Sequence, residues 1–250
     1  MNIAVAMKQI PDLQQVRIRN RQPVFDDVPW TLGNIDKNAL EAGVQLKEAA
    51  GGNVIALSVG NEELEDTIKE ALAAGADEAL LIADDELSGI DSAQAAQLLA
   101  AAVGKLEDIG LLLFGEGSGD NYSGQVASRV AAILGWPQLS YAKAITLDGD
   151  KITVVKALED CEETVTAALP AVVTVVSEIN EARIPAVSAI LKAGKKPKEV
   201  LMLDDMDVEL SAAAIKTISN LAPETQRKSV AVKSVDELVA ALKAENLIGR

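Results

Sequence analysis

The sequence predicts an α/β fold: a doubly wound, mostly parallel sheet with an antiparallel extension and a C-terminal arm. Three observations point there. Up to about residue 134, short continuous apolar runs alternate with longer amphipathic segments, the pattern of parallel strands covered by helices on both faces. From about residue 137 the runs alternate apolar and polar residues and are split by turns such as Asp148-Gly149-Asp150. Apolar residues make up 49% of the chain but aromatics only 2%, so Ala, Val, Leu and Ile must fill a closely packed interior.

Residues 2–7 read as a buried strand ending at Lys8 and Pro11-Asp12, and 16–28 as a polar excursion with a small hairpin. Residues 34–50 carry Leu40, Val44 and Lys47 at helical spacing and stop at Gly51-Gly52. A second strand is predicted over 53–60. A helix over 62–74 follows, with Leu64, Ile68 and Leu72 on one face and Gly75 as its stop. Residues 78–83 are the third strand. Asp91 caps a helix over 91–106 that aligns Leu98, Leu99 and Val103. Residues 110–114 form the fourth strand, and a helix is predicted over 120–134.

Beyond lie β-like runs at 140–147, 151–155 and 163–168, and a returning buried strand at 171–176. A helical segment at 186–193 precedes the basic run Lys195-Lys196-Pro197-Lys198 and an acidic stretch at 204–209. Residues 211–227 read as an arm packed loosely on this domain or on another chain, and 234–245 as a terminal helix. Residues 1–200 are thus expected to form one α/β domain extended at about 137–176, and 201–250 an arm and helix packing on a partner. Right-handed crossovers would bring the loops after the parallel strands to one sheet edge, where open α/β sheets hold ligands.

Composition narrows the chemistry. The net charge of −15 disfavours nucleic acid and anionic membranes as partners. No run is long and apolar enough to predict a transmembrane segment, and residues 1–12 show no secretory pattern. The single cysteine, Cys161, excludes an internal disulfide and fits a reducing cytoplasm. There is no histidine, which removes the usual general base, Ser-His and Cys-His pairs, and imidazole metal sites. No catalytic residue and no metal ligand is expected. A chain that works through a bound redox cofactor needs none, because the cofactor carries the chemistry.

The most suggestive loop is Gly115-Glu116-Gly117-Ser118-Gly119-Asp120-Asn121-Tyr122-Ser123-Gly124-Gln125-Val126. Its glycines follow a predicted strand and precede a helix, so backbone N–H groups can approach a phosphate. Ser118, Ser123 and Gln125 add neutral donors, and Tyr122 offers a stacking face. The loop lacks Walker spacing and its lysine, which argues against nucleotide hydrolysis. Alone, it also fits an ordinary strand–helix connection. Residues 154–174, VVKALEDCEETVTAALPAVVT, read as two strands joined by an acidic turn.

The order Lys156, Glu159-Asp160, Glu163, Val165, Pro170, Val172-Val173-Thr174 resembles the signature of the electron transfer flavoprotein β subunit. Gly115, Ser118, Asp120, Gly124, Gln125 and Val126 resemble the same family's glycine loop. So do Val5-Ala6-Met7-Lys8 with Pro11-Asp12, Asp36-Lys37-Asn38 with Glu41, and Ser58-Val59-Gly60. Glu116 stands where the family commonly has lysine, a departure similar to its Fix-type branch.

The resemblance implies an adenine-nucleotide α-hydrolase-like fold and a heterodimer with an α subunit. FAD would be held mainly by, or shared with, that subunit, and AMP or, in electron-bifurcating members, a second FAD would lie in this chain. The implied contacts are Ala6, Lys8, Asn34, Asp36, Asn38, Ser58, Val59 and Gly60, with Gly115, Gly117, Ser118, Asp120, Tyr122, Ser123, Gly124, Gln125 and Val126. Residues 182–197 resemble the family's partner-recognition loop, with Ile184, Val187, Ile190 and Leu191 facing an acyl-CoA-dehydrogenase-type flavoenzyme. The alternative is a stand-alone adenine-nucleotide-binding module of the universal-stress type.

Overall fold

Strand β1 (Asn2–Ala6) is the axis of the fold, because its apolar residues are buried on both faces. The computed structural model describes residues 1–225 and 228–249; Gln226 and Arg227, which close the arm expected at 211–227, and Arg250 lie outside the described residues. Two units divide the chain: Met1–Arg17 with Phe25–Ile218, and Ile18–Val24 with Ser219–Arg250.

After β1 come β2 (Gln9–Pro11), β3 (Arg17–Arg19), β4 (Gln22–Val24) and β5 (Trp30–Leu32). Helix α1 (Asn34–Ala50) leads to β6 (Val54–Gly60). The next helix is split into α2 (Leu64–Thr67) and α3 (Lys69–Ala74), with Ile68 buried at the junction. Then follow β7 (Glu78–Ala83), α4 (Ser92–Lys105), β8 (Ile109–Gly115) and α5 (Val126–Leu134). The extension is β9 (Gln138–Asp148), β10 (Lys151–Ala157) and β11 (Glu162–Ala168), and β12 (Ala171–Val175) returns to the centre. Helix α6 (Val187–Ala193), β13 (Lys198–Leu201) and α7 (Val235–Ala244) complete the elements.

Nine strands form the main sheet in the order β11-β10-β9-β12-β8-β1-β6-β7-β13. Strands β9 to β13 across the centre run parallel, and β10 and β11 add antiparallel pairs. One face packs Ile3 and Val5 against Leu40 and Val44 of α1 and Ile68 and Leu72 of the split helix. The other packs Ala4 and Ala6 with Leu98, Leu99 and Val103 of α4 and Val130 of α5. Helices cover both faces, as the continuous apolar strands require.

The expected signature hairpin is β10–β11, with Lys156 opposite Glu163 and their side chains 2.9 Å apart. Thr174 of the same stretch is buried, and its hydroxyl accepts from the Tyr141 N–H at 3.0 Å, joining β12 to β9. The capping box of α4 closes through Asp91 and Gln94. Asp91 also accepts from the Ala214 N–H at 2.7 Å, and Gln97 from the Ser211 N–H at 3.1 Å, so residues 211–214 are tied to α4.

In the second unit, the Ala222 N–H donates to the Arg21 carbonyl at 2.7 Å, and Arg21 pairs with Glu224. Helix α7 is capped by the Ser234 hydroxyl and leaves Val235 and Leu238 exposed. Among the described residues, no helix is long and apolar enough to cross a membrane, and no group of His, Cys, Asp or Glu is arranged to hold a metal.

Candidate functional site: a crevice at the strand switch point

Strands β1 and β8 are neighbours, but the chain reaches one from the other only after building β6 and β7 on the far side of β1. Strand order reverses between them, and the crevice outside their carboxyl ends is where such sheets bind ligands. Asp36, in the first turn of α1, closes the back of this crevice. Its Oδ2 accepts from the Lys8 N–H at 2.8 Å, and its Oδ1 from the Gly115 N–H at 3.3 Å. The residue is 7% exposed, and burial pushes its carboxyl up to about 7, against the pull of those two N–H groups and of the Lys8 ammonium. A Cβ on Gly115 would stand 2.6 Å from Oδ1, and one on Gly33 2.7 Å from Oδ2. Both positions need glycine for the carboxylate to approach.

At the mouth, the Lys8 ammonium pairs with Asp120 at 2.6 Å. Burial opposes the Asp120 charge, but hydrogen bonding, that of Lys8 first, outweighs it and holds this carboxyl below its ordinary range. Lys8, Asp36, Gly115 and Asp120, far apart in sequence, thus form one hydrogen-bonded set.

The helix after the glycine loop begins at Val126, not at 120, because Tyr122 and Gly124 both have positive φ and Asp120 is turned to Lys8. The Tyr122 N–H donates to the Ser118 carbonyl at 3.0 Å, and the Tyr122 ring lies over Gly117, where a Cβ would come within 2.8 Å. The Ser118 hydroxyl donates to the Asn121 side chain at 3.1 Å. Ser123 is exposed. Gln125 precedes α5 without capping it, and its side chain accepts from Arg129 at 2.8 Å. The Glu116 N–H donates to the Val175 carbonyl at 3.0 Å, which seats the loop on β12.

The remaining expected contacts separate. Ala6 ends β1 and is buried. The buried Ser58 hydroxyl donates to the Met7 carbonyl at 2.6 Å, with Val59 and Gly60 completing β6 beside it. The Asn38 amide donates to the Asn180 carbonyl at 2.8 Å and receives a bond from the Asn180 amide on its own carbonyl. Asn34 is exposed and lines a cleft of about 420 Å3 with Ile10, Asp12, Leu13, Ile35 and Gly119. Sequence reasoning passed over that lining, because β2 and β5, which shape it, are three residues each and show no periodicity.

A second feature stands beyond β12. Arg183 donates to buried Glu41 at 2.6 Å and 3.1 Å and to Glu48 at 2.9 Å, both on α1. Lys196 donates to the Leu72 and Ala76 carbonyls at 2.8 Å and 2.5 Å, satisfying the end of α3. Ala193 is buried between these anchors, whereas Ile184 is 93%, Val187 74% and Leu191 75% exposed, with Ile190 beside them.

Fold and crevice define a doubly wound α/β protein with a crevice at its strand switch point. The model of the electron transfer flavoprotein domain matches residues 24–206. Three β subunits of such flavoproteins are similar along nearly their whole lengths. The one from Thermoanaerobacterium thermosaccharolyticum is 34% identical, over 91% of this chain and 90% of its own. The Clostridium acetobutylicum subunit is 33% identical over 92% and 89%, and that of Megasphaera elsdenii 32% over 95% and 93%. The chain belongs to the electron transfer flavoprotein family. That membership decides against the stand-alone universal-stress-type module.

Proposed function

We propose that this chain is the β subunit of a heterodimeric electron transfer flavoprotein that carries electrons between acyl-CoA-dehydrogenase-type flavoenzymes and other carriers. The observation that carries the reading is one scaffold, α1, that serves both a switch-point crevice and an outward apolar helix. The crevice suits an adenine nucleotide: the glycine loop borders a cleft of about 420 Å3, and α5 starts without a side-chain cap. Backbone N–H groups of the glycine loop and neutral donors from Ser123 and Gln125 would hold phosphate and ribose, with Asn34 at the adjoining cleft. That nucleotide is AMP in a simple carrier and a second FAD in a bifurcating one, while the α subunit holds the redox FAD. Bound flavin supplies the one- and two-electron chemistry, and this chain binds and orients.

Ile184, Val187, Ile190 and Leu191 form the face offered to the dehydrogenase: apolar, rigidly mounted and flanked by cations. The arm beyond the residues tied to α4 packs on the α subunit, a role that fits the exposed Ile215, Ile218, Leu221 and Val235. Glu116 marks the Fix-type branch, and the cytoplasm is the compartment that suits the exposed free Cys161. Coexpression with an α subunit tests the reading. A yellow one-to-one complex that takes electrons from an acyl-CoA dehydrogenase is expected; a colourless chain that stays alone contradicts it.

A further inference from the structure

Asp36 is a buried carboxylate with an unusual set of partners. Glu41, the other buried carboxylate among the described residues, is paired with Arg183. Asp36 forms no ion pair among the described residues, because the nearby Lys8 ammonium goes to Asp120. Its two oxygens instead take one main-chain N–H from each side of the switch point, Lys8 after β1 and Gly115 at the end of β8. Room for it is left by two glycines, Gly33 and Gly115. A buried charge held only by backbone donors costs more than a neutral group would, unless the bonds it makes fix something that matters.

What it fixes is the separation of the two strand ends. Walled in on both sides, the carboxylate is poorly placed to meet a ligand itself; a ligand in the crevice meets the backbone of Lys8 and Gly115 and the loop that starts there. We propose that Asp36 is the positioning residue of the crevice, tying the ends of β1 and β8 at one spacing so that the nucleotide is held by the frame rather than by Asp36. This inference rests on the nucleotide-binding reading above.

The charged groups facing Asp36 are Lys8 from the β1 exit and Asp120 from the loop after β8. The ionised form accepts from both N–H groups. A proton on either oxygen makes that oxygen a poorer acceptor and weakens the bond it takes. The Lys8 and Gly115 amides therefore report directly on the tie.

The test uses the αβ heterodimer with this chain labelled at lysine and glycine nitrogen, with AMP as the probe. In the wild type, the Lys8 and Gly115 amide resonances are expected to move together with pH, about a single midpoint. In Asp36→Asn they are expected to stay still, and AMP affinity to fall about tenfold or more, the loss of one charge-assisted hydrogen bond. Gly33→Ala, whose Cβ would meet only the Asp36 side chain, is expected to weaken AMP as well, and the Gly33→Ala/Asp36→Ala double variant to be no worse than Asp36→Ala alone. Amides that do not titrate, losses that simply add, or unchanged AMP affinity in Asp36→Asn would each overturn the proposal. A wild-type heterodimer that binds neither AMP nor FAD would contradict the functional reading itself, whatever the amides do.

Discussion

The crevice and the segment that begins at Arg183 share helix α1 and are built in opposite senses. At the start of α1, Asp36 draws two main-chain donors inward and is sealed by glycine. Farther along, Glu41 and Glu48 hold Arg183 so that Ile184, Val187 and Leu191 turn outward and stay largely exposed. The difference separates two kinds of binding. A small-ligand site needs a backbone whose geometry is already set. A docking face needs apolar side chains that are mounted firmly and left unpaired.

The comparison breaks most sharply at the outward face. Replacing Val187 and Leu191 together by Glu is expected to slow electron transfer with an acyl-CoA dehydrogenase about 100-fold, the effect of losing hot-spot contacts. Nucleotide content and melting temperature should not change; equal loss of nucleotide would mean that the two regions are not separate.

Next comes the anchor. Arg183→Ala leaves Glu41 buried without its cation, and roughly 2 kcal/mol of stability should be lost in urea unfolding, after allowing for the partial exposure of Arg183. Burial pushes the Glu41 carboxyl up, but Arg183 and Gln45 pull it further down, below its ordinary range. Its contribution is therefore present above the unfolded value and lost as pH falls. That acid-side loss should be smaller in Arg183→Ala.

Asp36 has the opposite sign. Burial raises its folded value from 3.8 to about 7, so the stability it contributes is present at low pH and lost as pH rises through 7. Wild-type stability should fall by roughly 2–3 kcal/mol more than that of Asp36→Asn between pH 5 and pH 8. Parallel pH curves for the two proteins would contradict the buried, titrating carboxylate. The smallest effect is expected on the extension. Lys143→Ala removes an exposed pair with Glu162 and should cost under about 0.5 kcal/mol.

Long elements were legible in the sequence because their periodicity extends over several turns. Helix α1 ends at the Gly51 stop, and α4 begins at the Asp91 cap, as the pattern predicts. The hairpin of the signature stretch was legible from its acidic turn; Lys156 and Glu163 prove to pair across the extension, and Thr174 joins the central strand β12 to β9. Other features depended on tertiary partners. The basic run 195–198 shows only its charge in the sequence, whereas in the fold Lys196 caps α3, Lys198 pairs with Glu65, and β13 starts there beside β7. The start of α5 shifted because positive-φ residues cannot continue a helix. For the site, residue types in the glycine loop were visible early. The tie through Asp36 was not, because it joins residues 28 and 79 positions away. Nor could local spacing tell that Ser58 and Asn38 would be satisfied by Met7 and Asn180.

The most direct measurement is extraction and quantification of nucleotides from the coexpressed αβ complex. The expected result is FAD plus a second adenine nucleotide for each heterodimer, AMP in a simple shuttle or another FAD in a bifurcating enzyme. A heterodimer that carries a single FAD and no second nucleotide would contradict a nucleotide-holding crevice in this chain.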